Sequence, residues 1–184
     1  MNSAEGHGRM KAGDPTEEAH EPHEPAESAE SAESDEPDEH LRYAAHLDAL
    51  ARVAGPDEPG LIGTVLTDPD RTMAQAAVLR HLDLRAAQLC SGPGWEEWAQ
   101  TMTRTVARHP FLTRRLREWS LFRAVTLRLP WHEDELLAAS DWLQLKTAAG
   151  PNREALAVLA ERGRTKRIRN TARTGLARER KRER

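Results

Sequence analysis

The chain has 184 residues, 30 acidic and 27 basic, with a formal net charge of -3, and is long enough for one ordinary domain. Its single cysteine, Cys90, excludes an internal disulfide and a multi-Cys zinc site, and no apolar run of about 18 residues suggests a membrane span. Residues 1–20 hold charges and no apolar stretch of the kind a secretory signal needs, so the sequence predicts a cytoplasmic protein.

The near-neutral total conceals three unlike stretches. Residues 1–40 carry 13 acidic against 2 basic side chains, residues 41–149 carry 13 of each, and residues 150–184 carry 12 basic against 4 acidic. Residues 1–38 are dominated by Glu, Ala, Ser, Pro and His, including an Ala-Glu-Ser triplet run over 26–34. A segment with so little apolar bulk cannot bury enough surface to offset the entropy of ordering it, which predicts a disordered acidic tail.

From His40 onward apolar residues recur every three or four positions, the helical period. The first predicted helix spans Glu39 to Ala54 and stops at the turn-forming run 55–60, after which Leu61 to Leu66 is a short apolar piece. Thr67-Asp68-Pro69-Asp70 then offers side-chain acceptors for orphan amides and a proline already set at a helical φ, which predicts a helix over Pro69 to Leu89. Trp95 to Arg108 follows, with Trp95, Trp98, Met102 and Val106 on one face. After His109-Pro110 another helix runs toward Pro130 with Leu112, Leu116, Trp119, Phe122 and Val125 as its stripe. His132 to Ala149, Asn152 to Arg162 and Thr165 to Arg178 complete the set, with Gly163 as a predicted C-terminal cap. The expectation is an all-α fold of about seven short helices, α-solenoid-like or an irregular bundle. It divides into an acidic tail (1–38), a helical domain (39–163) and a basic amphipathic segment (164–184).

Val65 to Leu82, with Asp68-Pro69-Asp70, Met73, Ala76-Ala77 and Leu82, resembles the turn and second helix of a HEAT repeat, although the arginine usual in that family falls on Ala74. Ala155 to Ala172 resembles the same unit through Ile168-Arg169 and Ala172, but lacks the turn aspartate. The resemblance implies stacked helix pairs whose small residues permit close approach, and a scaffold surface for protein partners.

No catalytic, cofactor-binding or metal-binding constellation emerges. His132 is followed by Glu133-Asp134-Glu135 but no histidine four residues on, and acids in a first helical turn complement the helix dipole. His81 and Asp83 are two apart and diverge on a helix. Of the five tryptophans, Trp98, Trp119 and Trp142 read as core, while Trp95 and Trp131, at helix entrances, are candidate exposed anchors for a partner. The basic end carries the clearest functional signal. On a helical projection Ile168, Ala172 and Leu176 form an apolar edge flanked by cations, so Arg164, Lys166, Arg167, Arg169 and Arg173 become candidate partner-binding residues.

Three readings follow. The leading one is a non-enzymatic helical adaptor or scaffold for a protein partner; the alternative is a nucleic-acid-binding protein using the basic helix. The third is an enzyme or enzyme subunit; separately, the acidic tail can lie over the basic helix and compete there with an anionic ligand. Arg outnumbers Lys by 23 to 4, a usage that suits a high-GC bacterial genome.

Overall fold

The computed structural model describes the backbone of residues 35–182 and side chains from Asp38 to Lys181. The described residues are all helical, without a strand: α1 (Asp35–Arg52), a 3-10 turn (Gly55–Asp57), α2 (Glu58–Val65), α3 (Arg71–Leu89), α4 (Trp95–Thr105), α5 (Pro110–Leu127), α6 (Glu133–Ala138), α7 (Asp141–Ala148), α8 (Arg153–Arg162) and α9 (Lys166–Arg182). Glu36–Arg184 forms one compact unit. The expected tail over 1–38 lies for the most part outside the described residues, and at its C-terminal edge α1 already begins at Asp35.

Local chemistry explains the three places where the helices differ from the predicted elements. The run 55–60 does not exclude a helix: Pro59 sits in the first turn of α2, where a missing N–H removes nothing, so helix takes in the end of that run and most of the short apolar piece Leu61 to Leu66. The cap of α3 is Asp70, whose Oδ1 accepts from the amides of Thr72 (3.0 Å) and Met73 (2.9 Å). Asp68 instead closes a local turn by accepting from the Asp70 amide at 2.9 Å. The single helix expected over His132 to Ala149 is two, because Ala139 and Ser140 adopt extended backbone and the Ser140 hydroxyl caps α7 by accepting from the Leu143 amide.

Two apolar clusters fill the unit. The first joins Leu50, Ile62, Val78, Leu82, Trp95, Met102, Leu112, Leu116 and Trp119 from α1 to α5. The second joins Val125, Leu136, Ala148, Leu156, Leu159, Ile168 and Ala172 from α5 to α9. Within the first cluster Trp119 is edge-on to Phe122 and Trp142, with ring centroids 5.6 and 5.4 Å away. The Lys146 ammonium lies 4.5 Å above the Trp119 ring and the Arg115 guanidinium 3.7 Å from that of Trp142, each contact adding about 0.5–2 kcal/mol. Helix contacts run α2 with α4, α3 with α5, α5 with α7, and α7 with both α8 and α9. Contacts between helices two places apart in the chain thus recur from α2 to α9.

Candidate functional site

The helix that displays the basic residues is fixed at its start by a buried amide. Gln144 of α7, fully buried, donates from Nε2 to the carbonyls of Leu137 (2.8 Å) and Ala139 (3.3 Å), and its Oε1 accepts the Arg164 backbone N–H at 2.9 Å. One side chain thus ties the α6–α7 break to the turn before α9. The Thr165 hydroxyl accepts from the Ile168 amide at 3.2 Å, capping α9. Gly163 ends α8 with φ -54 and ψ 140, outside the left-handed region expected of a glycine cap. It is needed for space, because a Cβ there would stand 2.5 Å from the Leu159 carbonyl oxygen and 2.7 Å from Ile168 Cγ2. A Cβ on Gly175 would lie 3.1 Å from Leu156 Cδ1. Contacts at both ends make α8 and α9 an antiparallel hairpin, buried along Ile168 and Ala172.

The opposite side of α9 presents charge of one sign. Lys166, Arg167, Arg173, Arg178, Arg180 and Lys181 are all exposed, and none makes an ion pair among the described residues. The only acid described on α9, Glu179, is half-buried on the apolar side. The six cations span about 22 Å of helix axis. Packing of the apolar edge forces this arrangement, since a helix held along one side must turn its remaining long side chains to water.

The predicted partner-binding residues separate into two groups. Lys166, Arg167 and Arg173 lie on this face. Arg164 does not: its guanidinium donates to the Ala139 carbonyl at 2.7 Å and pairs with Asp141 at 3.4 Å, which spends it on holding the turn. Arg169 likewise donates from Nη1 to the Gly163 carbonyl at 2.7 Å. Trp95 is 2% exposed and packs at 5.5 Å from Trp98 inside the first cluster, so it is core rather than an exposed anchor. Trp131 is half-buried against the second cluster and borders a groove of about 690 Å³ between α5 and α6, near the exposed Leu127 and Leu129. Arg178, Arg180 and Lys181 extend the cationic face beyond the predicted set.

Sequence reasoning missed a buried carboxylate. Glu58, 1% exposed at the start of α2, accepts at Oε1 from Trp98 Nε1 (3.0 Å), His81 Nε2 (2.8 Å) and Arg85 Nε (3.4 Å). An ionised carboxylate only accepts, so Nε2 of His81 carries the proton. Burial pushes the Glu58 pKa up, but the hydrogen bonds from His81 and Trp98 and the charge of Arg85 outweigh it and hold the group below its ordinary value. The only available signal was a glutamate entering a helix after a turn. Nothing in the sequence announces that donors 23, 27 and 40 residues away converge on it. His81 and Asp83 do diverge: Asp83 accepts from Trp119 Nε1 at 2.7 Å, on the other side of α3.

On α1, His46 Nε2 lies 2.9 Å from Asp68 Oδ2, with Arg42 at 3.9 Å. The His46 hydrogen bond and then the Asp70 amide hold the Asp68 pKa below its usual value. Among the described residues no three His, Cys, Asp or Glu side chains are grouped to hold a metal ion. No helix there is long and apolar enough to cross a membrane. No protein family, curated protein or solved structure was found to match the chain.

Proposed function

We propose that this chain is a non-enzymatic binding protein that holds nucleic acid on the outer face of α9, with the remaining helices as a rigid mount. The observation that carries the reading is the run of six exposed cations on one helix face with no carboxylate among them. Phosphates at such a face replace condensed counterions, so affinity follows salt concentration steeply. Fluorescence anisotropy of the full chain with a labelled duplex tests this. The logarithm of affinity should fall with that of salt at a slope approaching about -5 for six phosphate contacts. Changing Lys166, Arg167, Arg173 and Arg178 together to Ser should lower affinity at least about tenfold. Binding that ignores salt, or survives the four substitutions, overturns the reading.

A second reading, a protein partner, is favoured by the α5–α6 groove bordered by Trp131 with Leu127 and Leu129 exposed nearby. It requires that Trp131→Ala with Leu129→Ser abolish a stoichiometric protein complex that survives nuclease treatment. A complex unaffected by the pair of changes refutes it.

A further inference from the structure

We infer that α9 enters the major groove of B-form DNA, with phosphates gripped along both flanks and base edges met by a short central strip. This rests on the nucleic-acid reading above and adds the form of nucleic acid and the division of labour along the helix.

The inference comes from the order of side chains around α9. With Ile168 at the centre of the buried side and about 100° per residue, Lys166, Arg173 and Arg180 fall in one row at about 120–160°. Arg167 and Arg178 fall in a second row at about 260–280°. Between them, at about 180–240°, lie Asn170, Ala177 and Thr174, all exposed, with Lys181 at the far end. Over Asn170 to Ala177 the part of the helix that projects furthest from the body is therefore lined by short side chains, with Lys166 and Arg173 on one flank and Arg167 and Arg178 on the other. A helix pushed against one row of phosphates, as on a membrane or an acidic peptide, gains nothing from a short uncharged centre. A helix lowered into a groove needs one, since long side chains there would keep it off the floor.

Size and chemistry select among nucleic acids. The B-DNA major groove is about 12 Å wide and admits a helix about 10–12 Å across. The major groove of A-form RNA is too deep and narrow for a helix. Single strands are held chiefly by stacking on aromatic rings, and α9 carries no aromatic residue. Neighbouring α8 exposes Glu154 and Glu161 beside Arg153 and Arg162, charges of both signs, so of this pair α9 alone offers phosphates a face of one sign.

The central strip has readout chemistry to spare. Asn170 accepts weakly from Arg173 Nη1 at 3.3 Å, while its own amide nitrogen makes no hydrogen bond among the described residues, leaving donors for the N7 edge of a purine. Thr174 donates to the Asn170 carbonyl at 3.0 Å and keeps its lone pairs, and the Ala177 methyl suits a thymine methyl.

The test compares, for the full chain, a mixed-sequence DNA duplex of about two helical turns with its single strand and with the equivalent RNA duplex. The DNA duplex should bind at least about tenfold more tightly than either. A duplex selected from a randomised pool is then compared with its scrambled version. Asn170→Ala with Thr174→Ala, both exposed and with side chains hydrogen-bonded only within α9, should leave scrambled-duplex affinity within about twofold and the salt slope unchanged. The same pair should reduce the preference for the selected duplex about tenfold or more. Equal or tighter binding of single strand or RNA duplex, failure of selection to enrich any sequence, or a preference that survives the double change overturns the groove proposal while the nucleic-acid reading stands. Absence of binding to all three sinks both.

Discussion

Charge is used in opposite ways at the joint of α2, α3 and α4 and on the outer face of α9. At the joint one buried carboxylate, Glu58, takes hydrogen bonds from three side chains on two other helices, and its charge is spent on holding those helices together. On α9 six cations stand in water without an ion-pair partner among the described residues. Spent charge belongs to the fold, and unspent charge of one sign is what the molecule offers to something else. The same rule separates residues that look alike in the sequence, since Arg164 and Arg169 fall on the first side of the division and Lys166, Arg167 and Arg173 on the second.

The largest effect should come from breaking the joint. Glu58→Ala leaves the buried donors of His81 and Trp98, and the Arg85 charge, without their acceptor, and should lower stability by about 3–5 kcal/mol. The change should appear as a fall in the urea midpoint. Because a loss of that size approaches the whole stability of a small domain, Glu58→Gln provides a milder companion that retains an acceptor. Both variants should bind DNA like the parent wherever they remain folded. Unchanged stability in Glu58→Ala would show that the joint is not where the fold spends its charge.

Gln144 anchors the second region, tying the α6–α7 break to the turn before α9 through its Oε1, which accepts the amide of Arg164. Gln144→Ala strands that buried donor and opens a small void, for an expected loss of about 1–3 kcal/mol. It should also weaken DNA binding modestly, because the face keeps its cations while the helix that displays them loses its anchor. The four Ser substitutions on α9 should do the reverse, each changing stability by no more than about 0.5 kcal/mol while affinity collapses. A set of variants in which stability and affinity fall together in every case would erase the contrast between the two regions.

The all-α architecture was legible because each main apolar stripe, such as Leu112, Leu116, Trp119 and Val125, is written at helical spacing and is buried as that spacing demands. The amphipathic basic helix was legible for the same reason. The break at Ala139-Ser140 was not, because Ala-Ala-Ser continues a helix as readily as it ends one, and what decides it is tertiary. Ser140 offers its hydroxyl to Leu143, its own amide donates to the buried Glu118 at 2.9 Å, and Gln144 collects the freed carbonyls. Trp95 was misjudged because the boundary of a helix says nothing about depth, and the partner that covers it, Trp98, lies on the same helix. Glu58, Gln144 and the diversion of Arg164 and Arg169 into the turn share one cause: a side chain's partners are set by packing among distant segments, which no local pattern encodes.

The smallest expected effect is a matter of pH and is confined to α1. Asp68 has its pKa lowered by His46 and the Asp70 amide, so its contribution is present above the ordinary aspartate value of 3.8 and is lost as pH falls through the lower folded value. Glu58, also lowered, follows the same sign from its ordinary 4.5, and its loss releases the whole joint. Acid should therefore act in two places that can be told apart by hydrogen exchange. Asp68→Asn should speed exchange of α1 amides at neutral pH and leave α2 to α4 protected, because the contact joins α1 to the turn before α3 and nothing deeper. It should also remove the part of the acid response seen at α1 while that at the joint persists. If the α1 amides of Asp68→Asn still open with the parent's pH dependence, Leu50 and its apolar neighbours, rather than the Asp68 contact, hold the first helix in place.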